Sequence, residues 1–127
     1  MHKMDVSIIK EQLNDCAIYK VVHEGNLIGS AWVGITDIVP DKKFMTGKTK
    51  TIIGFGINYE FHNKGLGKAL LKEIIENETK IKTKYLKLGV YCNNEIAKKL
   101  YTGFGFVFDG IVGNNEHLEY MYKQLND

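Results

Sequence analysis

The chain contains little of what would place it at once in a functional class. Its 127 residues include two cysteines, one proline and one tryptophan, and the formal net charge is only +2. Cys16 and Cys92 form no Cys-x-x-Cys pair and stand apart from any histidine cluster. We therefore expect free, buried thiols, no disulfide and no metal site. The small, scattered charge argues against nucleic-acid binding.

Long hydrophobic runs are also missing. No apolar stretch approaches the roughly twenty residues that cross a bilayer, and no signal-peptide core follows residues 1–5. We expect a cytoplasmic protein without membrane association. The hydrophobic fraction of 44% and the charged fraction of 25% are ordinary for a globular protein. The length predicts a single domain, residues 1–127, with one core.

What the chain does have is a glycine-rich turn between a strand and a helix. Residues 53–58 are an apolar run with alternating glycines, typical of a strand that a backbone or ligand approaches closely. From Leu66 the apolar residues recur at helical spacing. The first N–H groups of a helix lack internal partners and carry partial positive charge. Since Gly65 and Gly67 would let an anion reach that backbone, the turn predicts a site for a phosphate ester.

The spacing of this turn excludes two common phosphate-binding motifs. A P-loop would place glycine at His62 and a magnesium-binding hydroxyl at Ala69. A dinucleotide fingerprint would need its third glycine at Leu70. The pattern His62-x-x-Gly65-x-Gly67 resembles the Arg/Gln-x-x-Gly-x-Gly/Ala loop of the GNAT superfamily of acyl-CoA-dependent N-acetyltransferases, which cradles the coenzyme A pyrophosphate. A plain strand–helix connection is the alternative.

A second segment strengthens the resemblance. Residues 86–106 read as a strand, a helix that Asn94 can cap and Gly105 can end, and a further strand. Their order is similar to the second GNAT signature, Val-x-x-x-Asn-x-x-Ala-x-x-Leu-Tyr-x-x-x-Gly-Phe. The matching residues are Val90, Asn94, Ala97, Leu100, Tyr101, Gly105 and Phe106.

The resemblance implies an α+β fold with a central, mostly antiparallel mixed sheet flanked by helices. GNAT proteins usually begin with a strand and two helices that form part of the acceptor pocket. Too little chain precedes Cys16 for all of these, so we expect a shortened N-terminal part. Residues 6–13 fit a short helix or a strand equally well. The other expected elements are a hairpin of 17–23 and 27–35 around residues 24–26, a loop over 38–50, a strand over 51–58, a helix from 65 to about 77, a strand over 85–91, a helix from 94 to about 102, and a hairpin of 106–110 and 116–125 around residues 113–115.

The implied activity is direct transfer of an acetyl group from acetyl-CoA to an amine acceptor. The backbone of residues 63–68 would hold the pyrophosphate, and the backbone of residues 55–57 would pair with pantetheine and polarise the thioester carbonyl. His62 is either a phosphate donor or a surface residue without a role. Asn94 contacts the coenzyme or only caps its helix. The expected coenzyme-binding residues are Phe55, Gly56, Ile57, His62, Asn63, Lys64, Gly65, Leu66, Gly67, Lys68 and Asn94.

Acetyl transfer needs an acid for the departing thiolate and a base for the amine, and the sequence suggests a residue only for the acid. Tyr101 matches the family tyrosine that often protonates the departing thiolate; a core aromatic is the alternative. Thr51 and Ile52 stand where some members have a glutamate base. We name no base, and four candidates stay open: Glu24, Asp37, Glu60 and His62.

Three further questions stay open. A GNAT-fold module that holds CoA without turnover is the alternative to an enzyme; the absent glutamate favours it and Tyr101 opposes it. Residues 80–84, with three lysines, fit a solvated helix end better than a contact with the 3′-phosphate of the coenzyme. The acceptor and the existence of a homodimer are not determined.

Overall fold

The computed structural model describes residues 5–36, 39, 41–112 and 115–127. Seven strands form one sheet in the order β1-β2-β3-β4-β5-β7-β6. In chain order the elements are β1 Val6–Gln12, β2 Cys16–His23, β3 Asn26–Gly34, β4 Thr49–Ile57, a 3₁₀ turn Tyr59–Phe61, α1 Leu66–Lys80, β5 Tyr85–Tyr91, α2 Glu95–Gly103, β6 Val107–Val112 and β7 Asn115–Gln124.

The strand pairing is the predicted mixture. Strands β1 to β4 pair antiparallel in sequence order, β4 pairs parallel with β5, and β7 pairs antiparallel with both β5 and β6. The parallel pair is joined through α1, the kind of crossover that parallel neighbours need. The expected α+β fold with a central, mostly antiparallel mixed sheet is confirmed.

The N-terminal part is a hairpin. Residues 6–12, which the sequence left open, form strand β1. The chain returns directly into β2, and the Leu13 N–H donates to the Cys16 carbonyl at 2.8 Å. Within residues 5–36 no helix separates the two strands, so the shortened N-terminal part is confirmed. The predicted β2–β3 turn is also present, with Glu24 at φ 50° and Gly25 at φ 78°, the left-handed pair of a type I′ turn.

Both helices lie close to their predicted bounds. Helix α1 runs to Lys80, three residues beyond the predicted end at about residue 77. Asn94 caps α2, and Gly105, at φ 90°, follows its C-terminus as expected. In the last hairpin, β7 begins at Asn115, and residues 113–114 of the predicted turn lie outside the described residues.

The two faces of the sheet differ, and we call them the helix face and the open face. On the helix face, alternate residues such as Tyr19, Val33 and Ile52 form one core with the apolar side of the helices. The core residues from the helices include Leu66, Leu70, Leu71, Ile74 and Tyr101. The register places Cys16 opposite Gly34, and Gly34 opposite Thr51, on the open face.

The β3–β4 loop covers part of the open face. Asp41 forms an ion pair with the buried Lys87 of β5, and Lys42 lies 3.9 Å from Asp109 of β6. The Phe44 ring packs on Tyr122, with centroids 5.2 Å apart. These contacts tie the loop to β5, β6 and β7.

A buried ion pair fixes the far end of α1. Glu78 is fully buried and accepts from Lys50 Nζ at 2.8 Å and from the Thr83 hydroxyl at 2.7 Å. Lys50 is 3% exposed and lies at the start of β4. The pair therefore sets where α1 meets the central strand.

Candidate functional site

The predicted anion site is a backbone turn at the start of α1. Asn63 and Gly65 both adopt left-handed conformations, at φ 62° and 76°. Gly65 is the N-cap of α1, and no side chain caps the helix there. The first intrahelical bond is that from the Ala69 N–H to the Gly65 carbonyl, at 3.1 Å. The N–H groups of residues 66–68 therefore have no partner within the helix and are suited to an anion.

A cleft of about 620 Å³ opens beside this turn. Its walls come from the end of β4, the turn before α1 and one side of α2. The lining includes the predicted residues Phe55, Ile57, His62, Asn63, Gly65, Leu66, Gly67 and Asn94. The turn and the two helix starts thus meet in one concave surface, which we call the outer cleft.

The outer cleft continues inward where β4 and β5 separate. In the described chain these strands pair at three positions only, ending with Thr51 opposite Lys87. A second cavity of about 380 Å³ lies beyond that point, and we call it the inner cleft. Phe55, Asn94 and Ala97 line both cavities. The inner cleft reaches the open face, where its walls are Val39, Ile53, Gly89, Leu118 and Tyr120.

The free edge of β4 can be assigned from its register. The Asn58 N–H donates to the Ile28 carbonyl at 2.7 Å, which makes the neighbouring Gly29–Ile57 pair a non-hydrogen-bonded pair. The N–H and carbonyl of Ile57 therefore point away from β3, toward the cleft. The polar groups of Gly56 point the other way, because Gly56 pairs with Ser30 in the alternate position. Of these two predicted residues, only Ile57 presents its backbone polar groups to the cleft.

His62 has a partner that the sequence did not suggest. Its Nε2 lies 2.6 Å from the Ile57 carbonyl, and since a carbonyl only accepts, Nε2 carries the proton. The ring also packs beside Tyr59, with centroids 5.4 Å apart. His62 therefore has a structural role, because its hydrogen bond holds the turn against the edge of β4.

Tyr101 lies on the wall of the inner cleft. Its side chain is buried, with 6% exposure, and contacts the rings of Phe55 and Phe106 with both centroids 5.8 Å away. Burial raises the pKa of the Tyr101 phenol to about 12. The hydroxyl therefore stays protonated at neutral pH and can act as a proton donor.

Asn94 caps α2, which is the structural one of the two roles suggested for it, the other being contact with the coenzyme. Its Oδ1 accepts from the Ala97 N–H at 3.2 Å, which caps α2. The residue also lines both clefts, so capping places it at the point where they join.

The candidate bases are not brought together at the inner cleft. Glu24 lies in the exposed β2–β3 turn, Glu60 is exposed in the 3₁₀ turn, and His62 is bonded to Ile57. Asp37 lies outside the described residues. Over the described part of the lining, the polar side chains are hydroxyls and one amide: Thr51, Tyr91, Asn94, Tyr101 and Tyr120.

The lysines divide between two ends of α1. Lys64 and Lys68 are exposed near the turn. Residues 80–84 follow the other end of the 15-residue helix, about 20 Å away at 1.5 Å per residue. This distance favours a solvated helix end for that lysine cluster over a coenzyme contact.

Two absences bear on other kinds of site. Neither helix of the described chain has the length and apolar character that a bilayer crossing requires. Among the residues whose placement is described, no three His, Cys, Asp or Glu side chains are grouped so as to hold a metal ion. Cys16 and Cys92 are both free thiols, although they are partly rather than fully buried.

Comparison with known proteins decides the family. The model of the acetyltransferase (GNAT) family matches residues 2–106. The spermine/spermidine N(1)-acetyltransferase of Bacillus subtilis strain 168 is 34% identical over 119 residues, which span 91% of this chain and 76% of that protein. The chain belongs to the GNAT acetyltransferase family. The expected N-acetyltransferase enzyme is thereby confirmed.

Solved structures share the GNAT fold. The ribosomal-protein-S18-alanine N-acetyltransferase from Escherichia coli superposes with a TM-score of 0.73 at 18% identity, covering 91% of this chain and 73% of that one. The PaiA N-acetyltransferase from Thermoplasma acidophilum, in complex with coenzyme A, gives 0.70 at 19% identity, covering 87% and 61%. As a GNAT acetyltransferase, the chain uses an acyl-CoA donor and an amine acceptor.

Sequence reasoning missed the open-face half of the inner cleft. Val39, Leu118 and Tyr120 come from a loop and a strand far apart in the sequence, and no motif links them. Gly89, a glycine within a strand, is a weak signal of close approach.

Proposed function

We propose that this GNAT enzyme transfers acetyl from acetyl-CoA to an amine through the opening between β4 and β5. The observation that carries the proposal is the continuity of the two clefts, from the anion turn on the helix face to the open face. The donor would enter along the outer cleft and the amine from the open face. Donor and acceptor would then meet beside Tyr101, so that no covalent enzyme intermediate is needed.

The turn before α1 fits a pyrophosphate. A Cβ placed on Gly65 would meet nothing within 4 Å, so the space above it is open. The N–H groups of residues 66–68 would hold the phosphates, and the exposed Lys64 and Lys68 would add charge. His62 would support the turn through Ile57 rather than bind phosphate directly.

The free edge of β4 fits the pantetheine arm. Ile57 presents its N–H to the cleft and not to β3. An extended chain of amides can therefore lie along β4 like an added strand. The acetyl thioester supplies the acyl group, and a backbone N–H of this strand would polarise its carbonyl.

Tyr101 would give its proton to the departing thiolate. With the Tyr101 pKa at about 12 and a free thiol near 8.5, the transfer is uphill by about 3.5 units, or about 5 kcal/mol. This cost exceeds the 2 kcal/mol expected for an unperturbed tyrosine. A thiolate in the same buried cleft is also desolvated, which raises its own pKa and narrows the gap.

The acceptor enters the proposal only as an amine. Deprotonating a primary ammonium group of pKa about 10.4 at pH 7 costs roughly 4.6 kcal/mol, and the cost is smaller for a less basic amine. Spermine and spermidine are the first acceptors to test because a relative of 34% identity is named for them. We also propose a cytoplasmic location, which the two free cysteines support.

The proposal is tested by release of free thiol from acetyl-CoA in the presence of an amine panel. The panel contains spermidine, spermine, lysine, a peptide with a free N-terminus and hydroxylamine. We expect thiol release that depends on one or more amines, with an equimolar acetylated product. Tight CoA binding with no amine-dependent thiol release would contradict the proposal.

A further inference from the structure

Thr51 holds a buried hydroxyl for which the described residues supply no partner. The residue is fully buried, and its Oγ1 forms no hydrogen bond with any described residue. A buried hydroxyl without a partner costs free energy, so such a group in a native fold calls for an explanation. Valine would fill the same space in a strand without that cost.

The position of Thr51 suggests the explanation. Thr51 forms the last pair of the parallel β4–β5 ladder, and the strands separate immediately after it. It lines the inner cleft together with Tyr101 and Tyr120. Thr51 pairs with Gly34, and a Cβ built on Gly34 would lie on the open face. The Thr51 side chain therefore also lies on the open face. The hydroxyl therefore lies at the inner end of the path that we assign to the amine.

We infer that the Thr51 hydroxyl accepts a hydrogen bond from the attacking amine and orients its lone pair toward the thioester. The inference rests on the proposed function and adds an acceptor-binding residue to it. A threonine hydroxyl is too weak a base to remove the amine proton, so its contribution is orientation. The Thr51 oxygen has no partner among the described residues and can therefore accept an N–H, which every unprotonated primary amine offers.

Thr49 provides a matched control. It lies two residues earlier on the same strand and face, its hydroxyl is also buried without a partner, and it does not line either cleft. Thr51→Val and Thr49→Val therefore make the same chemical change inside and outside the proposed path. Thr51→Ser keeps the hydroxyl and removes only the methyl group.

The first measurement is thermal unfolding of the free protein. Because the Thr51 hydroxyl has no partner within the described part of the chain, we expect Thr51→Val to unfold at the wild-type temperature or above. A clear fall in its unfolding temperature would show that the hydroxyl is bonded within the protein and would overturn the inference.

The second measurement is kcat/KM with acetyl-CoA and either spermidine or hydroxylamine, with CoA affinity measured by calorimetry. We expect Thr51→Val to lose at least tenfold in kcat/KM, about 1.4 kcal/mol, at unchanged CoA affinity. Thr51→Ser should regain most of the loss, and Thr49→Val should match the wild type.

The outcomes separate this inference from the proposed function. If the wild type turns over and the kcat/KM of Thr51→Val is not reduced, the role of Thr51 is overturned and the proposed function is left intact. A Thr51→Ser loss as large as that of Thr51→Val would show that keeping the hydroxyl does not preserve activity, and it would overturn the role of the hydroxyl as well. An inactive wild type would overturn the function, and the inference about Thr51 with it.

Discussion

The ring of Phe55 on the central strand meets the ring of Tyr101 on α2 edge to face, with centroids 5.8 Å apart and planes at 65°. The contact joins the two walls of the inner cleft at the point where the outer cleft enters it. Such pairs are stabilising beyond the area they bury, typically by about 0.5–1.5 kcal/mol. The Phe55–Tyr101 contact fixes the position of the Tyr101 phenol relative to the strand that would hold the thioester.

Tyr101→Phe should remove the proton donor and keep this ring contact. We expect kcat to fall about 10²–10⁴-fold, the usual share of general acid–base catalysis, while CoA affinity stays within twofold. Steady-state kinetics and calorimetry with CoA measure the two effects. Phe104→Leu, which changes the aromatic residue that follows α2 and packs against the core, is a control for general disturbance of the helix. An unchanged kcat in Tyr101→Phe would leave the hydroxyl without a catalytic role.

Burial of Tyr101 also predicts a pH dependence of stability. Its pKa is raised from 10.0 to about 12, so below pH 10 the phenol is protonated in both folded and unfolded chains. Between pH 10 and 12 only the unfolded chain loses the proton, so the free energy of unfolding falls as pH rises, by up to roughly 3 kcal/mol. Burial, followed by the Glu78 and Glu73 charges, raises the pKa of Tyr19 in the same direction.

Alkaline unfolding of Tyr101→Phe isolates the contribution of that phenol. The difference in unfolding free energy between variant and wild type should be constant up to pH 10 and then move in favour of the variant. Chemical denaturation at a series of pH values measures it. Parallel curves up to pH 12 would show that Tyr101 is not buried as described.

Glycine at the turn can be tested without disturbing the fold. A Cβ on Gly67 would lie 3.5 Å from Leu100 Cδ2, an ordinary contact, so Gly67→Ala should fold. Its side chain would stand at the first turn of α1, where the phosphates would lie. We expect CoA affinity to fall at least tenfold, about 1.4 kcal/mol. Gly103→Ala, at the end of α2 with open space around it, should bind CoA as the wild type does. Equal affinities in calorimetry would place the phosphates elsewhere.

The buried pair of Lys50 and Glu78 should be sensitive to loss of one partner. Lys50→Met leaves the Glu78 carboxylate buried without its cation, which typically costs about 3–5 kcal/mol. The double variant Lys50→Met with Glu78→Leu removes both charges and should recover most of that loss. Urea unfolding measures all three proteins. A double variant as unstable as Lys50→Met would show that packing, and not the unpaired charge, causes the effect.

The local pattern was enough to predict the helices, the β2–β3 hairpin and the turn before α1. These elements depend on short-range rules: glycine at the left-handed Gly25 and Gly65, a side-chain cap at Asn94, and apolar periodicity. The two signatures resembling GNAT proteins supplied the pairing of the strands, which periodicity alone does not give.

Long-range features were not predictable in the same way. The Lys50–Glu78 pair and the Asp41–Lys87 pair join residues far apart in the chain, and a lysine or glutamate in sequence is normally read as exposed. His62 was assigned to phosphate or to no role because its bond to the Ile57 carbonyl depends on the path of the turn. The backbone N–H groups of Gly56 and Ile57 point in opposite directions because of the register between β3 and β4. The sequence of one strand does not specify that register.

Hydrogen exchange at Ile57 tests most directly whether the donor lies along β4. The Ile57 N–H points into the cleft, whereas the Gly56 N–H faces β3 and serves as an internal control. We predict that acetyl-CoA slows exchange at Ile57 and in residues 63–68, that ADP slows exchange only in residues 63–68, and that neither changes Gly56. Unchanged exchange at Ile57 with saturating acetyl-CoA would contradict the account, because the pantetheine arm would then lie away from the central strand.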